Sequence, residues 1–302
     1  MMSYGNMKSF ILIFSLSCFC FCKKHASPVQ KSDYISFSTP VKVTVRNYNQ
    51  DIMEPFLSRD GKYLFFNNLN DPSVTNTNIY YAERINDTSF EYKGEVQGVN
   101  SDALDAVATM DERNNFYFVS TRSYKQTLST IYNGIFANGS VSLVDIVPGI
   151  SLNKAGMVNF DVEVSADGNS LYFVDGKFTN SGLPLTADIA LALKKGNGFV
   201  RANNSKNIFE NVDSDQLEYA ACISRNELIL FFTRVREVNS NAMPRIFYST
   251  RKNKNESFNE PVEIKEIDGF VEAATLSADE HILYYHKREN DKFVLYCVSM
   301  GN

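Results

Sequence analysis

Five carboxylic acids stand at matching places in the chain, each opening a short apolar run: Glu54, Asp105, Asp161, Glu218 and Glu272. Further acids precede several of them, namely Asp51, Asp102, Asp213, Asp215 and Asp268. Carboxylates gathered in a narrow space raise one another's pKa or attract a cation. Two acids facing each other across a sugar perform glycoside hydrolysis, one of them raised in pKa so that it donates a proton. On that reading Glu218 is the candidate general acid, with Glu54 or Asp105 as its partner. The competing reading is architectural: each acid accepts backbone N–H groups from its own or a neighbouring unit. An acid in every copy of a repeat favours this second reading. A cation at the five acids is the one cofactor either reading leaves room for.

Other residues with reactive or ligating side chains form no such set. A hydroxyl and an Asp or Asn recur two residues apart: Ser58 and Asp60, Thr109 and Asp111, Ser165 and Asp167, Ser224 and Asn226, Ser277 and Asp279. Such pairs bond local backbone groups and stabilise tight turns, so a structural role is expected. The three histidines, His25, His281 and His286, are too few and too scattered for a histidine-rich zinc site. His281 and His286 flank a strand pattern, which points to exposed or hinge positions. Cys222 and Cys297 fall inside apolar strand patterns and read as buried free thiols. No G-x-S-x-G elbow, phosphate loop or dinucleotide fingerprint occurs.

The elements that position the acids repeat five times. EPFLSRDGKYLFF from Glu54, DAVATMDERNNFYFV from Asp105, DVEVSADGNSLYFV from Asp161, EYAACISRNELILFF from Glu218 and EAATLSADEHILYY from Glu272 align on Phe65, Phe118, Phe173, Phe231 and Tyr284. The spacings between those aromatics are 53, 55, 58 and 53 residues. Each copy reads as an inner strand, a turn, an aromatic second strand, a third strand such as NIYYA from Asn78, and a looser fourth such as SFEYKGEV from Ser89. No sustained 3.6-residue period appears, so helices should be scarce.

The fifth copy ends after its third strand, and SFSTPVKVTV from Ser36 matches the fourth-strand pattern SFNEPVEIKEI from Ser257. The expectation is therefore an all-β chain: a five-bladed β-propeller of four-stranded antiparallel blades, closed by the N-terminal strand completing the last blade. Blade cores fall at about 50–98, 101–148, 156–208, 214–265 and 268–300 plus 36–46, within one domain over 36–302.

The turn phrase Ser-x-Asp-Gly before an aromatic strand, followed by a strand opening Asp/Asn-Ile-Tyr, resembles the WD40-like PD40 repeats of the TolB type. Ser58–Gly61 with Asn78-Ile79-Tyr80, and Ser165–Gly168 with Asp188-Ile189, carry the resemblance. Glu112, Glu227 and Glu280 stand at or near the glycine in the other copies. The resemblance implies the repeat fold and little about activity. Five-bladed propellers of the arabinanase and fructosidase kind, which hydrolyse sugars with three axial carboxylates, supply the enzymatic alternative. Of their motifs this chain carries the acids alone.

The N-terminus reads as an export signal over 1–22, with Lys8 ahead of an uncharged run from Phe10 to Cys22 that is too short to span a bilayer. Cys18, or Cys20 or Cys22, is placed as the lipidated residue of a bacterial lipoprotein, and 23–35 as a polar tether. Expected localisation is the bacterial cell envelope, lipid-anchored or else periplasmic or secreted, with the anchor as its one membrane contact. Net charge is −5 with no basic run, which excludes a nucleic-acid partner. The leading expectation is a monomeric, non-enzymatic scaffold that binds a protein, peptide or glycan on one propeller face. The alternative is a glycoside hydrolase using the channel acids.

Overall fold

Strands dominate because the apolar runs are short, rich in Phe, Tyr, Val and Ile, and punctuated by Asn, Asp, Ser and Gly. The computed structural model describes residues 35–70, 76–179, 184–235 and 243–301. The signal and lipidation sites expected before residue 35, with nearly all of the tether, lie outside the described residues.

Each sequence repeat builds an antiparallel meander. The first unit runs Met53–Leu57, Tyr63–Asn67, Ile79–Asn86, Ser89–Glu95, and the second runs Asp105–Met110, Asn115–Ser120, Ile131–Ala137, Ser140–Ile146. The third comprises Met157–Val164, Ser170–Phe178, Pro184–Lys195 and Gly198–Arg201. The fourth comprises Leu217–Ile223, Ile229–Val235, Pro244–Thr250 and the two-residue Val262–Glu263. The fifth has three strands of its own, Val271–Leu276, Ile282–Glu289 and Lys292–Gly301.

The N-terminal segment is shared between two units. Ser36–Phe37 and Val41–Lys42 pair antiparallel with the last strand, while Thr44–Arg46 runs parallel beside Ser89–Glu91 of the first unit. One stretch of chain therefore edges both the fifth and the first sheets, covering strand edges that would otherwise be open to other chains.

Successive side chains of a strand point to opposite faces, so each second strand serves two cores. Phe65 packs with Phe116 and Phe118 of the second unit, while its neighbours Leu64 and Phe66 pack with Tyr284 and Leu295 of the fifth. The same alternation makes clusters between the second and third units, the third and fourth, and the fourth and fifth. Each fully buried aromatic contributes about 1.5–3 kcal/mol by leaving water. Among the described residues, five such clusters form the core.

The turns explain the recurring hydroxyl–Asx pairs. Ser58 donates its hydroxyl to Asp60 at 2.7 Å and accepts the Tyr63 N–H at 2.9 Å. Ser165, Ser224 and Ser277 bond Asp167, Asn226 and Asp279 in the same way. The second unit differs: Asp111 takes the turn N–H groups itself, and Thr109 turns to Glu163. Gly61 and Gly168 hold the left-handed corner of their turns, and Asn114, Glu227 and Glu280 adopt the same sign of φ without being glycine. Among the described residues the helices are single turns, Tyr124–Thr127 and Ser205–Ile208. Cys222 and Cys297 are buried free thiols.

Candidate active site

The five acids do not occupy one structural position. The turn between the first and second strands of each unit, the A–B turn, opens at the residue whose N–H bonds the start of the second strand: Ser58, Asp111, Ser165, Ser224 and Ser277. Counting back from these residues, Glu54 and Asp161 stand four places away. Glu272 stands five away, and Asp105 and Glu218 six. A β-bulge in every inner strand lies just there, between Met53 and Phe56, Ala106 and Thr109, Asn159 and Val162, Tyr219 and Cys222, Glu272 and Thr275. A bulge adds one residue and re-aims the side chains around it. Acids aligned by sequence offset are thereby sent to different places.

Asp105 and Glu218, two places ahead of the bulge, are held in matching locks. Asp105 pairs with Arg122 at 2.6 Å and accepts both the N–H and the hydroxyl of Ser101. Glu218 pairs with Arg234 at 2.6 Å and accepts the same two groups of Ser214. Each arginine also donates to a carbonyl of the preceding loop, Val99 or Val212. Both carboxylates are fully buried. Oxygens of Glu218, Asp188 and Asp213 also lie within 4.8 Å of one another. Burial pushes Asp213 up to about 8, although it accepts the Ile189 N–H. Glu218 and Asp105 are thus committed to the framework.

Glu54, Asp161 and Glu272 converge instead. They come from the first, third and fifth units and act on one another electrostatically. Burial, then Asp161 and Glu272, pushes the Glu54 carboxyl well above the ordinary range. Burial pushes Asp161 up to about 8, against the pull of the Ala220 N–H that it accepts at 3.0 Å, and Glu272 adds to the rise. Glu272 accepts the Tyr219 hydroxyl on one oxygen, and its other oxygen lies 3.1 Å from His286 Nε2. Burial and that same carboxylate raise the Tyr219 hydroxyl well above its usual value.

Two residues of this cluster were not anticipated from the sequence. His286 is fully buried, not exposed or at a hinge, because it sits inside the second strand of the fifth unit. Tyr219 lay hidden next to Glu218. The signal that locates His286 is its place four residues after the start of that strand, which matches Asn67 and Thr233 in the first and fourth units.

A cavity of about 30 Å³ lies beside the acids, lined by residues of all five inner strands, among them Glu54, Phe56, Val107, Asp161, Ala220 and Thr275. That volume holds about one water and no sugar ring.

No protein-family model matches the chain. No curated protein matches it either. Solved structures do. A glycoside hydrolase superposes with a TM-score of 0.62 at 11% identity, covering 88% of this chain and 92% of its own. A putative exo-β-1,3-galactanase from Bifidobacterium bifidum s17 gives 0.56 at 9% identity, covering 87% and 91%. A family 117 glycoside hydrolase from the marine bacterium Zobellia galactanivorans gives 0.52 at 10% identity, covering 88% and 90%. At such identities the likeness establishes the fold: all-β, of the propeller type found in glycoside hydrolases.

The resemblance to WD40-like PD40 repeats of the TolB type is corrected by these matches, which lead to a different propeller group. The physical reason lies in the motif. Ser-x-Asp-Gly encodes the hydrogen bonds of one tight turn, and any meander using that turn selects the same residues.

Proposed function

We propose that the protein is a closed five-bladed β-propeller that hydrolyses glycosidic bonds at the mouth of its axial cavity. The observation that carries this reading is the convergence of Glu54, Asp161 and Glu272 from three units, while Asp105 and Glu218 are bound to arginines. The fold shared with glycoside hydrolases supports it over a non-enzymatic scaffold. Closure is supported by the cluster shared by the first and fifth units and by two bonds from the first inner strand to the last unit. These run from Glu54 N–H to His286 and from Leu57 N–H to Thr275 Oγ1.

Glu54 is assigned as general acid. Its carboxyl is held above the ordinary range, so it carries a proton to deliver to the leaving oxygen. Glu272 is assigned as the carboxylate that acts on the far side of the anomeric carbon, held by Tyr219 and His286. Asp161 braces the pair and keeps its charge low. The glycosidic C–O bond breaks as the water oxygen bonds the anomeric carbon. One proton leaves Glu54 for the leaving group, and one passes from the attacking water to Glu272, which acts as the general base. A sugar seats above the acids, since the cavity below admits about one water.

The partner is therefore a glycan, met by an exported protein anchored through Cys18, Cys20 or Cys22. Purified protein incubated with arabinan-, fructan- and galactan-type oligosaccharides should release sugar. Glu54→Gln and Glu272→Gln should each reduce the rate at least 10²-fold or so. Binding without turnover across that panel would return the protein to the scaffold reading. Labelled palmitate should enter the wild type and not a variant lacking the three cysteines.

A further inference from the structure

The geometry points to His286 as the positioning residue of this site: one imidazole holds the backbone of Glu54 with Nδ1 and the carboxylate of Glu272 with Nε2. The inference rests on the hydrolase reading for its catalytic consequence, but the arrangement itself is observed. The Glu54 N–H donates to His286 Nδ1 at 3.1 Å, so Nδ1 is an acceptor and the ring proton sits on Nε2. Nε2 lies 3.1 Å from Glu272 Oε2 and donates to it. The ring is fully buried, with the Phe293 ring perpendicular to it at 5.2 Å, which fixes its orientation.

Comparison with the other units separates a bland role from a special one. At the bulges of the first, second, fourth and fifth units, the residue four places before the turn has an N–H that a side chain of another unit takes. Glu54, Val107, Ala220 and Ala273 all have φ between 48° and 55° there. Val107 N–H is taken by Asn67 Oδ1 at 3.1 Å and Ala273 N–H by Thr233 Oγ1 at 3.1 Å, each from the preceding unit. His286 occupies the place of Asn67 and Thr233 and performs the same blade-to-blade lock. That lock requires one acceptor atom, which an amide or hydroxyl supplies. The imidazole brings a second nitrogen, and it is spent on Glu272. Glu54 also carries its acid on the locked residue itself. The ring thus spans the two groups assigned as acid and base, and a displacement of about 1 Å between such groups costs on the order of 10²-fold in rate.

Two substitutions divide the functions. His286→Asn keeps an acceptor near Nδ1, as Asn67 does, and removes the donor to Glu272. His286→Gln keeps a donor near Nε2. The expected result for His286→Asn is a Tm near that of the wild type and a kcat lower by roughly 10–10²-fold with KM little changed. The acidic limb of its pH profile moves to higher pH, because a carboxylate that loses a donor holds its proton more tightly. His286→Gln recovers part of kcat. Two measurements need no turnover: ¹⁵N shifts of the wild-type imidazole should show the proton on Nε2, and ¹³C titration of the Glu272 carboxyl should move upward in His286→Asn. A Glu272 titration unchanged by that substitution, or a proton found on Nδ1, overturns the assignment and leaves His286 a framework lock. If the wild type hydrolyses no glycan, the hydrolase reading fails on its own account while these two spectra still decide the role of His286.

Discussion

Arg59, in the A–B turn of the first unit, reaches past the second unit to place Nη2 2.7 Å from Glu163 Oε1 of the third. The same guanidinium donates to the carbonyls of Met110 and Val164, and the other oxygen of Glu163 accepts the Thr109 hydroxyl at 2.6 Å. Only 11% of the arginine side chain and 5% of the glutamate are exposed. One ion pair therefore ties three units together, and its Glu163 lines the same cavity as Glu54 and Asp161.

Breaking this pair should destabilise the fold. Removing one partner of a buried pair leaves the other charge uncompensated and costs about 3–5 kcal/mol. Arg59→Met should lower Tm by roughly 6–15 °C for a domain of this size. Arg59→Met with Glu163→Leu should regain much of that loss, because apolar replacements of both partners are often neutral. Calorimetry reads both variants, and a double variant no better than the single would show that the pair is not the source of the loss.

The registers of the acids separate two phenotypes. Glu218→Gln weakens the bond to Arg234, so it should lower Tm while glycan turnover per folded molecule stays near the wild-type value. Glu54→Gln should do the reverse, with turnover down at least 10²-fold or so and Tm equal or higher, since it removes an acid that burial disfavours. Parallel Tm and kcat measurements decide the matter. Loss of turnover in Glu218→Gln at full folding would restore it as the general acid.

The repeat and the turns were legible in the sequence because both are local. Period, strand composition and Ser-x-Asp chemistry are written within a dozen residues, and they located all five meanders. The acids look equivalent in the sequence, yet they stand four, five or six residues before the turn, and beside a bulge one residue exchanges the two faces of a strand. Nothing marks those bulges: Glu54, Val107, Ala220 and Ala273 take positive φ where glycine would have announced it. An acid in every copy of a repeat reads as structural, and that regularity hides the three acids that meet. The role of His286 is hidden for a related reason: the N–H that its Nδ1 accepts lies 232 residues away in the chain.

Gly98 and Gly149 show where glycine is indispensable. Both have φ above +80°, and a Cβ at either would lie 2.2 Å from a backbone oxygen, that of Val141 or of Phe199. Those oxygens belong to outer strands, so the glycines let the connecting loops lie flat on the sheets. Gly149→Ala should cost more than the ordinary penalty of about 1 kcal/mol for a residue forced to positive φ, because the backbone itself must move. Gly196→Ala has φ +61° but open space around the added carbon, and it should show the strain penalty alone. Equal losses of Tm in the two variants would refute the close-approach argument.

The raised carboxyls of the cluster set a pH dependence whose sign is fixed. Asp161 titrates at about 8 in the folded protein, against an ordinary value near 4, because burial disfavours its charged form. The folded state therefore holds this proton more tightly than the unfolded chain. The resulting stability is complete below about pH 4 and is lost as pH rises through 8. Glu54 is shifted in the same direction, as is Asp213 at the fourth unit. Asp60, Asp167, Asp279 and Glu289, which are lowered, act in the opposite sense only in the acid range below their ordinary values. Between pH 5 and 8 the raised group therefore governs, and Tm should fall across that interval, each excess proton contributing at most about 1.4 kcal/mol per pH unit. Asp161→Asn retains an oxygen to accept the Ala220 N–H, so it should fold and show a shallower decline, and adding Asp213→Asn should flatten it further. Thermal melts at several pH values test this. A wild-type Tm that holds steady from pH 5 to 8, or a slope that Asp161→Asn leaves untouched, would mean that Asp161 is already ionised in the folded protein and cannot keep the charge of the cluster low beside Glu54.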